Sequence, residues 1–137
     1  MIVGYTVGTF DLFHVGHLRL LEKADAMCDR LIVGVNRDEY IMDRKPKPII
    51  PLEQRIEILR SCWFVDEVVV PPLDKIETWQ ILRFNVFFMG DDWQGTLEWI
   101  DREEEFIEAN IPVEFIYLPV TEGIRSNNIR RRCCDSG

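Results

Sequence analysis

The chain has 137 residues, a formal net charge of -8, 47% apolar and 11% aromatic residues, enough for one domain that buries a core without disulfide or metal props; a disordered segment is excluded. The acidic balance argues against a nucleic-acid binder, since the one basic cluster is Arg125 to Arg132. No stretch approaches the roughly 20 apolar residues of a membrane span, and the opening MIVGYTVG lacks the pattern of a signal peptide, so a cytoplasmic protein without a membrane partner is expected.

In chain order, the apolar run Ile2 to Val7 predicts a first strand, and Val15, Leu18, Leu21, Ala24 and Met27 recur at helical spacing. Leu31 to Val35 is continuously apolar, as in a strand buried on both faces, and Glu67 to Val70, Val86 to Met89 and Val113 to Leu118 repeat it. Helical patterns lie between them at about Pro51 to Trp63, Lys75 to Arg83 and Leu97 to Ala109, with Pro51 suited to a first turn. A turn over Thr121 to Ser126 leads into a last helix capped by Ser126 or Asn127. Strands alternating with helices predict a single domain over residues 1–137, a Rossmann-like, doubly wound, five-stranded parallel sheet. Ligands of such sheets sit at the carboxyl ends of the strands. The segments of interest are therefore Gly8 to His17, Asn36 to Pro51, Gly90 to Gly95 and Pro119 to Asn128. The stretch DRKPKPIIP, residues 43–51, reads as a mobile loop over one of these exits.

The chain has two histidines, His14 and His17, spaced to share one face of the first helical turn, with Gly16 keeping that face open. A helix N-terminus attracts anions, and two imidazoles there would donate to phosphoryl oxygens; the alternative is a pair of ordinary polar first-turn residues. The cysteines, Cys28, Cys62, Cys133 and Cys134, form no CxxC pair and no metal spacing with the histidines, so they read as reduced thiols.

GTFDLFHVGH, with Gly8, Thr9, Phe10, Asp11, His14, Gly16 and His17 in register, resembles the signature of the cytidylyltransferase branch of the nucleotidyltransferase superfamily. MGDDWQG (Met89 to Gly95), VDEV (Val65 to Val68) and LPVTEGI (Leu118 to Ile124) look like segments of bacterial glycerol-3-phosphate cytidylyltransferases. The resemblance implies transfer of the CMP unit of CTP to a small phosphorylated alcohol, glycerol phosphate first among them, with release of pyrophosphate. In-line attack at the α-phosphorus asks for positioning and charge stabilisation and for no protein nucleophile.

His14 and His17 would donate to the α-phosphate and the leaving pyrophosphate, with backbone N–H groups near Gly8 to Phe10 and the Thr9 hydroxyl, and with Mg²⁺ held by the polyphosphate and by no protein side chain. Asp11 suits a helix cap, or an orienter of imidazole near the acceptor. Arg44, Lys45 and Lys47 lie in the proline-rich loop, where a lysine of the resembled family closes on substrate. Arg55 matches a family position implicated in substrate binding; the alternative is a surface ion pair with Glu57 or Asp38, and Asp38 is itself a candidate near the acceptor. Asp91 and Asp92 are placed to read an amino-bearing base edge such as cytosine, with Trp93 beside the acceptor or plugging the core. Thr121, Gly123, Ile124, Arg125 and Ser126 would meet the nucleotide's phosphates.

The chain departs from the resembled pattern at Val120 and Trp63, where the family carries arginines, and in having Arg125, Ser126 and Asn127 for a hydroxyl run. These departures favour a changed acceptor with Arg125 partly compensating. A tryptophan at a helix end is usually core, although its face would also hold a cationic head such as choline. Three readings stay open: the cytidylyltransferase; the same fold with ATP, a phosphocholine-like acceptor or another polyol phosphate; and a degenerate module that binds nucleotide without catalysis. A homodimer and a role in making cell-surface polymers are implied by the resemblance.

Overall fold

The computed structural model describes residues 1–38 and 47–120. Its elements are β1 (Val3–Gly8), α1 (Val15–Asp25), β2 (Arg30–Val35), α2 (Leu52–Arg60), β3 (Glu67–Val69), α3 (Lys75–Leu82), β4 (Val86–Gly90), a 3₁₀ turn (Asp91–Trp93), α4 (Leu97–Glu108) and β5 (Glu114–Leu118). All five strands are parallel, in the order β3-β2-β1-β4-β5. The predicted Rossmann-like sheet is therefore the observed one.

The central strands read as unbroken apolar runs because alternate residues feed two cores. Leu31, Val33 and Val35 point to a core shared with Leu21 and Ala24 of α1, Leu59 of α2 and Phe88. On the other face Ile32 joins Tyr5, Val7, Phe84, Phe87, and Trp99 and Phe106 of α4. Each such side chain contributes roughly 1.5–3 kcal/mol by leaving water. Gly34 is required by close approach: a Cβ there would lie 2.3 Å from the Tyr5 hydroxyl oxygen. Burial in turn pushes that phenol above its ordinary pKa.

The chain steps outward from β1 to β2 to β3, then returns across β1 to place β4 and β5 on its other side. The carboxyl ends of β1 and β4 thus flank the switch point, the place where sheets of this kind bind their ligands.

One expectation is overturned here. The helix predicted from Pro51 to Trp63 stops at Arg60, and Trp63 is not core but 83% exposed, its ring tilted against that of Phe64 with centroids 4.6 Å apart. In the turn that follows α2, Cys62 and Val65 take the inward positions against the core, which leaves Trp63 facing out.

Candidate functional site

The chain leaves β1 at Gly8 and makes a tight turn in which Phe10 and Leu12 adopt left-handed backbone angles, with φ of 53° and 52°. Such angles cost a non-glycine residue on the order of 1–3 kcal/mol and persist where the surroundings over-determine them. Here buried groups do so. Phe10 is sunk into the first core, and the Thr9 carbonyl accepts from Arg55 Nη1 at 2.8 Å. Asp11, 1% exposed, accepts on Oδ1 from the N–H groups of Leu12 (3.1 Å) and Ile50 (2.9 Å) and on Oδ2 from that of Ile49 (2.9 Å).

The cap of α1 is His14, not Asp11 as expected. His14 sits in extended backbone, and its Nδ1 accepts from the N–H groups of Gly16 (3.1 Å) and His17 (3.4 Å). His17 Nδ1 accepts from the His14 N–H at 3.3 Å. This is a capping box built from two imidazoles. It also corrects the expectation that the amides of this turn face phosphate: those of Gly16 and His17 are taken by the His14 ring.

The reciprocal cap fixes the chemistry of both rings. A nitrogen that accepts from N–H carries no proton, so each neutral ring is protonated at Nε2. The rings stack with centroids 3.8 Å apart and planes 16° apart, so both are presented from one face of the turn. Phe10 and Phe13 wall His17 at centroid distances of 5.3 and 5.4 Å. Burial, and then His14, depress the His17 pKa to about 3 against the opposing pull of Asp11, and burial lowers that of His14. Both are therefore neutral N–H donors near pH 7. His14 Nε2 is buried with no hydrogen-bond partner among the described residues. A buried donor left unpaired costs about 1–3 kcal/mol, which makes it receptive to an oxygen acceptor. The first turn of α1 carries no acidic residue to oppose an anion.

Arg55 departs most from expectation. Its side chain is enclosed, with 1% of the residue exposed. Nε donates to the Ile50 carbonyl (3.0 Å), Nη1 to those of Thr9 (2.8 Å) and Asn36 (3.2 Å), and Nη2 to the Asp38 carboxylate. The pairing with Asp38 is the one anticipated for a surface ion pair, but its arginine is buried and its carboxylate half-buried. Burial pulls the guanidinium pKa down, while Asp38 and Asp11 hold it up. The sequence carried a signal for this: Leu52, Arg55 and Leu59 share the helical spacing of the buried face of α2.

At the adjoining exit of β4, Asp91 and Asp92 are exposed, and Trp93 is half-buried against Trp99 and the second core. Asp91 Oδ1 accepts from the Val120 N–H at 3.3 Å, tying this exit to that of β5. A Cβ on Gly90 would lie 2.7 Å from Asp92 Oδ1 and 2.8 Å from Val120 Cγ1, so these two side chains sit as they do because residue 90 is glycine.

The structure thus gathers Gly8, Thr9, Phe10, Asp11, His14, Gly16 and His17 at the end of β1, Asp38 and Arg55 at the end of β2, and Asp91, Asp92 and Trp93 at the end of β4. Lys47 is exposed beside the Ile49–Ile50 amides. Arg44, Lys45, Thr121, Gly123, Ile124, Arg125 and Ser126 lie outside the described residues, as do Cys133 and Cys134. Sequence reasoning missed the amides of Ile49 and Ile50 and the wall formed by Phe13.

Residues 5–132 match the model of the cytidylyltransferase-like family. The chain is 36% identical over 127 residues to the glycerol-3-phosphate cytidylyltransferase of Bacillus subtilis (strain 168), covering 91% of this chain and 92% of that one. It is 33% identical over 116 residues to an FAD synthase of Methanosarcina acetivorans, covering 84% of this chain and 75% of that one. Among solved structures, a lipopolysaccharide core biosynthesis protein from Thermoplasma volcanium GSS1 superposes with a TM-score of 0.81 at 23% identity, over 89% of this chain and 99% of that one; at that identity it speaks for the fold.

Proposed function

The chain belongs to the cytidylyltransferase-like family, and on that premise we propose that it transfers the CMP unit of CTP to glycerol phosphate or a similar small phosphorylated alcohol, releasing pyrophosphate. It is a nucleotidyltransferase, and relatives named for glycerol-3-phosphate support this acceptor. The observation that carries the mechanism is the reciprocal imidazole cap, which offers two neutral Nε2–H donors from one helix turn.

An oxygen of the acceptor's phosphate attacks the α-phosphorus, the new P–O bond forms in line, and the bond to the β-phosphate's bridging oxygen breaks. Negative charge grows on the α-phosphoryl oxygens and the departing diphosphate. His14 and His17 stabilise that charge by donation, with no proton transfer required, and such donors are typically worth 10²–10³ each in rate. Arg44, Lys45 and Lys47 supply cations to the phosphates. Thr9, with the backbone from Gly8 to Phe10, and the segment Thr121 to Ser126 line the nucleotide's phosphates. Asp91 and Asp92 receive the amino edge of cytosine, and Trp93 borders the acceptor. Mg²⁺ bound through the polyphosphate belongs to the same proposal, since the carboxylate of the β1 turn, Asp11, is buried and its oxygens accept backbone N–H groups. The ion would take its ligands from polyphosphate and water, and when bound it neutralises charge.

No helix among the described residues is long and apolar enough to cross a membrane. A cytoplasmic homodimer that supplies a CDP-alcohol for cell-surface polymers completes the reading. The test is incubation with CTP, Mg²⁺ and a panel of phosphorylated alcohols, following pyrophosphate. Release with CTP and glycerol phosphate supports the assignment. Selective thermal stabilisation and turnover with ATP would overturn the nucleotide, and CTP binding without pyrophosphate from any acceptor would reduce the protein to a binding module.

A further inference from the structure

Arg55 occupies the position from which a phosphate ligand is expected, yet its hydrogen bonds are spent inside the protein. They reach three separate segments: Thr9 in the histidine turn, Asn36 and Asp38 after β2, and Ile50 before α2. The last segment closes the circuit, because the Ile49 and Ile50 N–H groups end on Asp11. One buried cation collects carbonyls and one buried anion collects amides. Between the two anchor points, Thr9 and Asp11, lies Phe10, and beyond them Leu12; these are the two residues of the turn at positive φ. His14, the cap, follows two residues later.

Resting on the transferase reading above, we propose that Arg55 and Asp11 are positioning residues and ligands of neither substrate: together they hold residues 9–12 in the turn that lets His14 and His17 cap each other through Nδ1. Their purpose is to keep both ring protons on Nε2, facing phosphate. A pair that merely stabilised the fold would set the melting temperature and leave the rings indifferent. A phosphate ligand would set the acceptor's KM.

Arg55→Lys separates these roles, because it keeps the charge but cannot span carbonyls on three segments. Two measurements are made on the folded variant. Ring ¹⁵N spectra of the free protein report which imidazole nitrogen carries the proton, and steady-state kinetics with CTP and glycerol phosphate split kcat from KM. The expected result is a shift of both rings from a fixed Nε2–H form toward tautomer averaging, and a fall in kcat of about 10- to 100-fold, as for a misplaced donor, with KM values changed less than about threefold. Ring signals as in the wild type, or a tenfold rise in acceptor KM at about unchanged kcat, would overturn the proposal. If circular dichroism shows Arg55→Lys unfolded, Asp11→Asn carries the same test, since it leaves one acceptor oxygen for the amides; unaltered rings there overturn it equally. The ring spectra need no substrate. Wild-type protein inactive with CTP would thus sink the transferase reading while the spectra still decide the positioning role.

Discussion

At the exit of β1 the carboxylate of Asp11 is buried and receives backbone N–H groups from three residues; at the exit of β4, the neighbouring strand, Asp91 and Asp92 stand exposed on a short 3₁₀ turn. The first acid is part of the scaffold, and the second pair is open to solvent. Groups that stabilise transient charge gain most from being fixed in advance, because they then cost no reorganisation as the charge appears. Groups that select a ligand need access. On the proposed mechanism the two exits divide rate from recognition, and the division is breakable by mutation.

The largest effect belongs to the β1 side. His17→Ala removes the acceptor of the His14 N–H and, on the proposed mechanism, a donor at the α-phosphorus. The expected outcome is a fall in kcat of roughly 10²–10³, with KM for CTP little changed, read by pyrophosphate release. A rise in KM with kcat intact would place recognition at β1 and erase the contrast.

The same burial makes the β1 side acid-sensitive. The folded pKa of His17 is depressed to about 3 from 6.5, so between these values the unfolded chain binds more protons than the folded one. Stability therefore rises with pH through that window and is level above it. At most one proton is involved, so the slope from this group is bounded at about 1.4 kcal/mol per pH unit. His17→Asn keeps an oxygen acceptor for the cap and loses the titration. Denaturant melts from pH 4 to 7 should show a shallower pH dependence for the variant, and parallel curves would contradict the buried neutral ring.

Gly90→Ala tests whether the β4 exit is as open as its acids suggest. The added methyl meets Asp92 Oδ1 and Val120 Cγ1 inside van der Waals distance, so the side chains that border the exits of β4 and β5 must shift to admit it. A loss of about 1–3 kcal/mol is expected, as for other overpacked sites, together with weaker CTP binding and a histidine-dependent kcat near wild type. If kcat falls as far as KM rises, the exits are mechanically one unit.

The five-stranded parallel sheet and the histidine pair were legible in the sequence because each rests on local pattern: continuous apolar runs that feed two cores, and a three-residue spacing at a helix start; the strand order came from the structure. Arg55 and Trp63 defeat the same logic in opposite directions. They lie eight residues apart by number, yet the cation is enclosed and the indole is 83% exposed. Arg55 is inside because Asp38 and three carbonyls replace its water, partners supplied by segments 5 to 46 residues away. Trp63 is outside because α2 ends at Arg60 and the following turn hands the core positions to Cys62 and Val65. Helical spacing marks Arg55 for the buried face, but the groups that satisfy it there are not encoded near it, and the early end of α2 that turns Trp63 outward is not marked near that residue. Asp11 shows the same limit: a short acid before a helix reads as a cap, but an imidazole three residues nearer the helix start took that role and left the carboxylate largely to distant amides.

The smallest effect should come from Asp91→Asn, and it is the sharpest check on the β4 side. Asparagine keeps an oxygen for the Val120 N–H, so the link between the exits of β4 and β5 survives and stability should stay within about 0.5 kcal/mol. What changes is charge. A carboxylate accepts from an exocyclic amino group more strongly than an amide oxygen does, by on the order of 1 kcal/mol. That difference predicts a rise in KM for CTP of about fivefold at unchanged kcat. Since UTP presents an oxygen where CTP presents the amino group, discrimination between the two should narrow by the same factor. A variant that discriminates as well as wild type moves base recognition away from this turn and leaves Asp91 with the work of joining two strands.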